Sequence, residues 1–129
     1  MIVTFCGSRE FVATVERQKQ VLSLLEERVG DQAVEFYLGG YGKFDSFAYT
    51  CARKYKETHP KATLVFVTPY ITESYQKNHL ECQKTQYDSI LYPSIEKVPP
   101  RYAILCRNQY MVEKADLLIA WVDHNWGGA

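Results

Sequence analysis

The sequence predicts a three-layer α/β domain, Rossmann-like, with a mainly parallel sheet. Three observations carry that expectation. Apolar runs rich in β-branched and aromatic residues recur at "MIVTFC", "AVEFYL", "ATLVFVTP" and "DLLIAWVD". Segments of helical periodicity fall between most of them. Glycines and acids punctuate the carboxyl ends of the runs, in "CGSREF", "GGYGKFD" and "DHNWGGA". Right-handed crossovers with a chain reversal after the third strand predict the order 3-2-1-4. Ligands in such sheets sit outside the carboxyl ends of the strands, here between strands one and four.

Taken in order, "MIVTFC" is a buried strand that stops at Gly7. "FVATVERQKQVLSLLEERVG" follows as a helix, with an apolar stripe of Val15, Leu22, Leu25 and Val29 closed by Gly30. "AVEFYL" is the second strand. "SFAYTCARKYKETHP" is a helix through Phe47, Ala48, Cys51, Ala52 and Tyr55, ended before Pro60. "ATLVFVTP" is apolar enough to be covered on both faces. Residues 69–100 form a polar, Tyr-rich insertion with an extended piece around "SILYP", read either as a lid or as a surface excursion. "RYAILCRNQYMVEKA" is a helix preceded by proline, with a stripe of Ile104, Asn108, Met111 and Ala115. "DLLIAWVD" is the fourth strand. One domain over 1–129 accounts for the whole chain.

Composition narrows the function classes. A hydrophobic fraction of 47% and a charged fraction of 23% are those of a soluble globular protein. Fifteen acids balance fifteen bases, so the basic excess of a phosphate-driven nucleic-acid binder is absent. The four cysteines are scattered without a CxxC pair, and "HLEC" (His79 with Cys82) lacks a second ligand pair, so neither a metal site nor a cofactor is expected. No signal-peptide pattern or membrane-length apolar run occurs, which points to the cytoplasm.

The rim loops hold the candidate chemistry. Neither a dinucleotide fingerprint nor a P-loop is present: the glycine cluster follows the second strand, and "GKF" lacks the Ser or Thr that binds magnesium. Glycine-exposed amides at a helix start nonetheless favour an anion, to which Arg9 would add a guanidinium fork and Ser8 a hydroxyl. Equally, Gly7 turns the strand and Ser8 caps the first helix. Asp45 is either a helix cap, together with Ser46, or a carboxylate facing ribose or a glycosidic carbon. Arg107 and Asn108 are structural ties or ligand contacts, and Trp126 either stacks a base or packs.

"VTFCGSREF", "LGGYGKFDSFAYTCAR", "VFVTPY", "YPSIEKVPPRYAILCRNQYMVEKADLLIAWV" and "HNWGGA" together resemble a small single-domain branch of the SLOG superfamily. That group joins the Smf/DprA and LOG proteins with YpsA-like bacterial and phage proteins. The resemblance implies a nucleotide or nucleotide-derived ligand at Gly7, Ser8, Arg9, Gly39, Gly40, Gly42, Asp45, Gly127 and Gly128, and it matches Arg107–Asn108 to a recurrent "RN" pair. LOG enzymes carry a glutamate after the second glycine motif and continue into a further helix and strand. This sequence stops at Ala129, so the expectation is a fold lacking that final helix and strand. A homodimer or higher oligomer would then cover the exposed apolar surface. The leading expectation is a non-catalytic nucleotide sensor or sponge. A LOG-like N-glycosidic enzyme with Asp45 as its catalytic carboxylate is the alternative, and a nucleic-acid or protein-interaction module is the third.

Overall fold

The computed structural model describes residues 1–7, 11–40, 42–69, 86–93, 95 and 97–121. Five strands form one sheet: β1 Ile2–Gly7, β2 Val34–Leu38, β3 Ala62–Val67, β4 Ser89–Leu91 and β5 Leu117–Trp121. Their order is β4-β3-β2-β1-β5, and every neighbouring pair is parallel. The expected order 3-2-1-4 therefore needs one correction. "SILYP" contributes a short edge strand outside β3, and "DLLIAWVD" becomes the fifth strand rather than the fourth. Three residues flanked by a proline leave little periodicity to read, so the segment was legible only as extended.

Helices α1 (Val15–Arg28) and α2 (Gly42–Thr58) cover one face, and α3 (Ala103–Lys114) covers the other. The larger core lies under α1 and α2, where Val3, Phe5, Phe36, Leu38, Leu64 and Phe66 point from the sheet. The alternate residues Tyr37, Val65 and Val67 meet Met111 of α3 on the opposite face. Strand periodicity of two thus divides each strand between two cores, which explains the unbroken apolar run of β3.

The helix starts differ from expectation. Thr14 caps α1, its hydroxyl accepting from the Arg17 amide at 3.1 Å, so Ser8 is not the cap. The helix then begins at Val15, whose side chain is 68% exposed, and the buried stripe reduces to Leu25 and Val29 with Leu22 partly covered. Gly30 closes the helix with φ 59°, as the sequence predicts. Helix α2 starts three residues before Asp45, so neither Asp45 nor Ser46 is its cap. Ser46 instead donates to the Gly42 carbonyl at 3.2 Å. Among the described residues, no helix is long and apolar enough to cross a membrane.

Edge strand β4 is pinned by Asp88. Its carboxylate accepts from the Leu64 amide at 2.8 Å and from Lys56 Nζ at 2.6 and 2.7 Å, while its own amide donates to the Leu64 carbonyl. Burial alone would raise the Asp88 pKa. The Leu64 amide, Lys56 and Arg53 outweigh it and hold the carboxyl below the usual aspartate range. A depressed folded pKa gives stability that is complete above the unfolded value and disappears as pH falls through the folded one. Asp88→Ala should therefore destabilise by about 1–3 kcal/mol at neutral pH, the cost of an orphaned amide. The difference from wild type should shrink in acid below the ordinary aspartate range, as urea titrations at pH 7 and pH 3 would reveal.

Candidate ligand site at the carboxyl edge of the sheet

All five strands run the same way, so their carboxyl ends share one edge. From β1 the chain steps outward through β2, β3 and β4, then returns to β5 on the other side of β1. The switch point therefore lies between β1 and β5, whose last residues Gly7 and Trp121 are partners in the ladder. Of the expected site residues, Ser8, Arg9, Trp126, Gly127 and Gly128 lie outside the described residues. The same holds for His79, Cys82 and the middle of the Tyr-rich segment.

The glycines expected to cradle a ligand divide by physical need. A Cβ on Gly7 would overlap the Phe44 ring, so this glycine seats that ring at the end of β1. Gly40 combines φ 74° with a would-be Cβ only 2.7 Å from Phe66 Cε2, which makes it a turn residue under close packing. Gly39 is approached from its open side by two charged groups. A Cβ there would lie 3.1 Å from Asp45 Oδ2 and 3.2 Å from Arg107 Cζ and Nη1. Gly42 differs from the rest: with φ 85° it opens α2, and no described residue stands within 4 Å of its missing side chain.

Helix α3 presents a different face from the one predicted. Its buried residues are Ala103, Arg107 and Met111; of the expected stripe, Met111 is buried, Ile104 and Ala115 are partly covered, and Asn108 is exposed. Arg107 is 1% exposed, whereas Asn108 faces outward. Arg107 Nη1 donates to the carbonyls of Gly39 (3.0 Å) and Val67 (2.8 Å), and Nε donates to Asn108 Oδ1 (2.8 Å). One guanidinium thus joins the carboxyl ends of β2 and β3 from beneath the sheet. Asn108 serves as a clamp on that guanidinium. The buried polar position is Arg107 rather than Asn108, because the long stem of arginine lies along the apolar face while its nitrogens reach the strand-end carbonyls.

Asp45 completes the cluster. Its carboxylate stands against Gly39 on the side that Arg107 also approaches, and its charge reaches the Cys6 thiol near the end of β1. Burial, then Asp45, pushes the Cys6 pKa up, so this thiol stays protonated and is a poor nucleophile. Cys51, buried in the α2 interface, is pushed up to about 12 by burial, despite the opposing effect of Lys54.

Two residues at this edge escaped the sequence reading. Phe11, 1% exposed, packs on Phe44, Phe47 and Trp121 with ring centroids 4.9, 4.8 and 5.1 Å away. Arg17 lies with its guanidinium 5.0 Å from the Phe11 centroid and 5.3 Å from that of Trp121. The signal for both was "REFVATVER", where aromatic and arginine flank a capping threonine. Phe11 also floors an open groove of about 640 Å³ between the starts of α1 and α2, lined further by Val12, Gly42, Lys43, Ser46 and Phe47.

No family model matches the chain. It is similar to a UPF0398 protein of Halalkalibacterium halodurans, with 29% identity over 120 residues. The alignment covers 87% of this chain and 60% of the relative, so the chain spans about three-fifths of the protein it matches. UPF0398 proteins are YpsA-like.

Proposed function

We propose that the chain is a SLOG-type domain that binds a nucleotide or nucleotide-derived molecule at the carboxyl edge of its sheet, as a sensor or sponge. The observation that carries this reading is the convergence on Gly39 and Gly42. A carboxylate and a guanidinium flank one glycine, and the start of a long helix lies open beside the other. A helix start supplies free amides and the positive end of its dipole to an anion. A carboxylate at a strand end in such sheets accepts from ribose hydroxyls. Likeness to a YpsA-like UPF0398 protein is consistent with the SLOG-type assignment. A cytoplasmic homodimer or higher oligomer, with no resident cofactor, belongs to it.

Asp45 favours one second reading, an enzyme that cleaves the N-glycosidic bond of a nucleotide. Its carboxylate stands against Gly39, and its charge reaches Cys6 near the end of β1. Base release by the wild type that collapses in Asp45→Asn would support this second reading. For the binding module, nucleoside monophosphates, NAD-derived nucleotides and cyclic nucleotides are tested one at a time by thermal denaturation. At a hundredfold excess over Kd a ligand adds about 2.7 kcal/mol to the native state, a shift of several degrees for a domain of this size. Asp45→Asn should reduce that shift. A flat panel in the wild type would overturn the reading.

A further inference from the structure

We infer that Arg17 is an anion receptor at the switch point and takes the phosphate of the bound molecule, an inference that rests on the nucleotide reading above only for the identity of that anion. Arg17 lies in the first turn of α1, at the carboxyl end of the sheet. Its guanidinium is held against the rings of Phe11 and Trp121, and Trp121 is the ladder partner of Gly7 where β1 and β5 end. The cation therefore stands beside the crevice between the two strands that define the switch point.

Three physical features suit it to that task. The contacts to the two aromatic rings and the 2.6 Å hydrogen bond from Nη1 to the Val12 carbonyl fix the plane of the fork before any ligand arrives. Among the described residues no carboxylate pairs with it: the ion pairs there are Lys56–Asp88 and His59–Glu26. Among the described residues nothing accepts from Nε or Nη2, the pair of donors whose geometry matches two phosphate oxygens. A half-buried guanidinium held in place loses little freedom on binding, which favours affinity. The groove alongside adds apolar surface from Val12, which is 61% exposed.

Inorganic pyrophosphate is the probe, titrated calorimetrically into the full chain. Wild type should bind it, and Arg17→Gln should weaken binding by about tenfold or more, equivalent to about 1.4 kcal/mol. Arg17→Lys should fall between them, because an ammonium keeps the charge and loses the fork. Lys19→Gln makes the same charge change at an exposed neighbour on the helix and should bind like wild type. The inference is overturned if wild type binds no pyrophosphate at millimolar concentration, if Arg17→Gln binds as well as wild type, or if Lys19→Gln weakens binding equally. A flat nucleotide panel with Arg17-dependent pyrophosphate binding would remove the nucleotide reading and leave the anion receptor standing.

Discussion

Arg107→Met should cost about 2–6 kcal/mol, because it withdraws the donor nitrogen of two strand-end carbonyls that are buried with it, at about 1–3 kcal/mol each. Gly39 and Val67 both accept from Nη1, so methionine fills the volume and satisfies neither. Arg107→Lys should recover part of the loss, since an ammonium reaches the carbonyls but cannot also engage Asn108 through a planar fork. The damage should be local as well as global. With β2 and β3 no longer joined at their ends, the turn at Gly39–Gly40 loses the contact that sets Asp45 against it. Urea denaturation reads the first effect. Amide exchange across residues 38–45 reads the second, and wild-type protection in that segment would contradict the proposed joint.

Phe11→Ala should lose about 3–5 kcal/mol, the usual cost of deleting a fully buried aromatic. Phe11 belongs to no helix or strand, yet it packs on rings from α2 and β5 and supports the Arg17 guanidinium. It is the wedge that holds residues 11–14, ahead of α1, against the rest of the fold. Phe11→Leu should lose far less, about 1–2 kcal/mol, because it leaves a smaller void and no polar group exposed. Against a total stability of about 5–15 kcal/mol for such a domain, the alanine variant should lose a substantial share of its stability. A denaturation midpoint within error of wild type would mean that the neighbouring rings close over the gap.

The two substitutions also mark where reading the sequence succeeds and where it stops. Fold class, four of the five strands and the three helices follow from periodicity, because Phe36, Leu38, Leu64 and Phe66 enter one core while the alternate residues Tyr37, Val65 and Val67 enter the other. The short edge strand Ser89–Leu91 does not, since its place depends on the Asp88 carboxylate reaching the Leu64 amide across the sheet. The glycine cluster was legible as a special turn, but not its division of labour. Gly7 and Gly40 are required by the Phe44 and Phe66 rings, contacts that only the folded chain creates. Arg107 was singled out as a polar residue that must be satisfied, and its partners Gly39 and Val67 are too distant in sequence to have been named. Arg17 was invisible because an arginine in a first helical turn is ordinary until two rings and a switch point surround it.

The central claim is that the carboxyl edge around Gly39, Gly42 and Asp45 receives a nucleotide-type molecule. Its most direct test is to incubate the pure protein with a pooled set of nucleoside monophosphates, NAD-derived nucleotides and cyclic nucleotides, ultrafilter, and identify by mass spectrometry what stays with the protein and what appears in the filtrate. One intact nucleotide retained in stoichiometric amount by the wild type, and lost from Asp45→Asn, is the result this account predicts. Retention of nothing, with every nucleotide recovered unchanged in the filtrate, would contradict it.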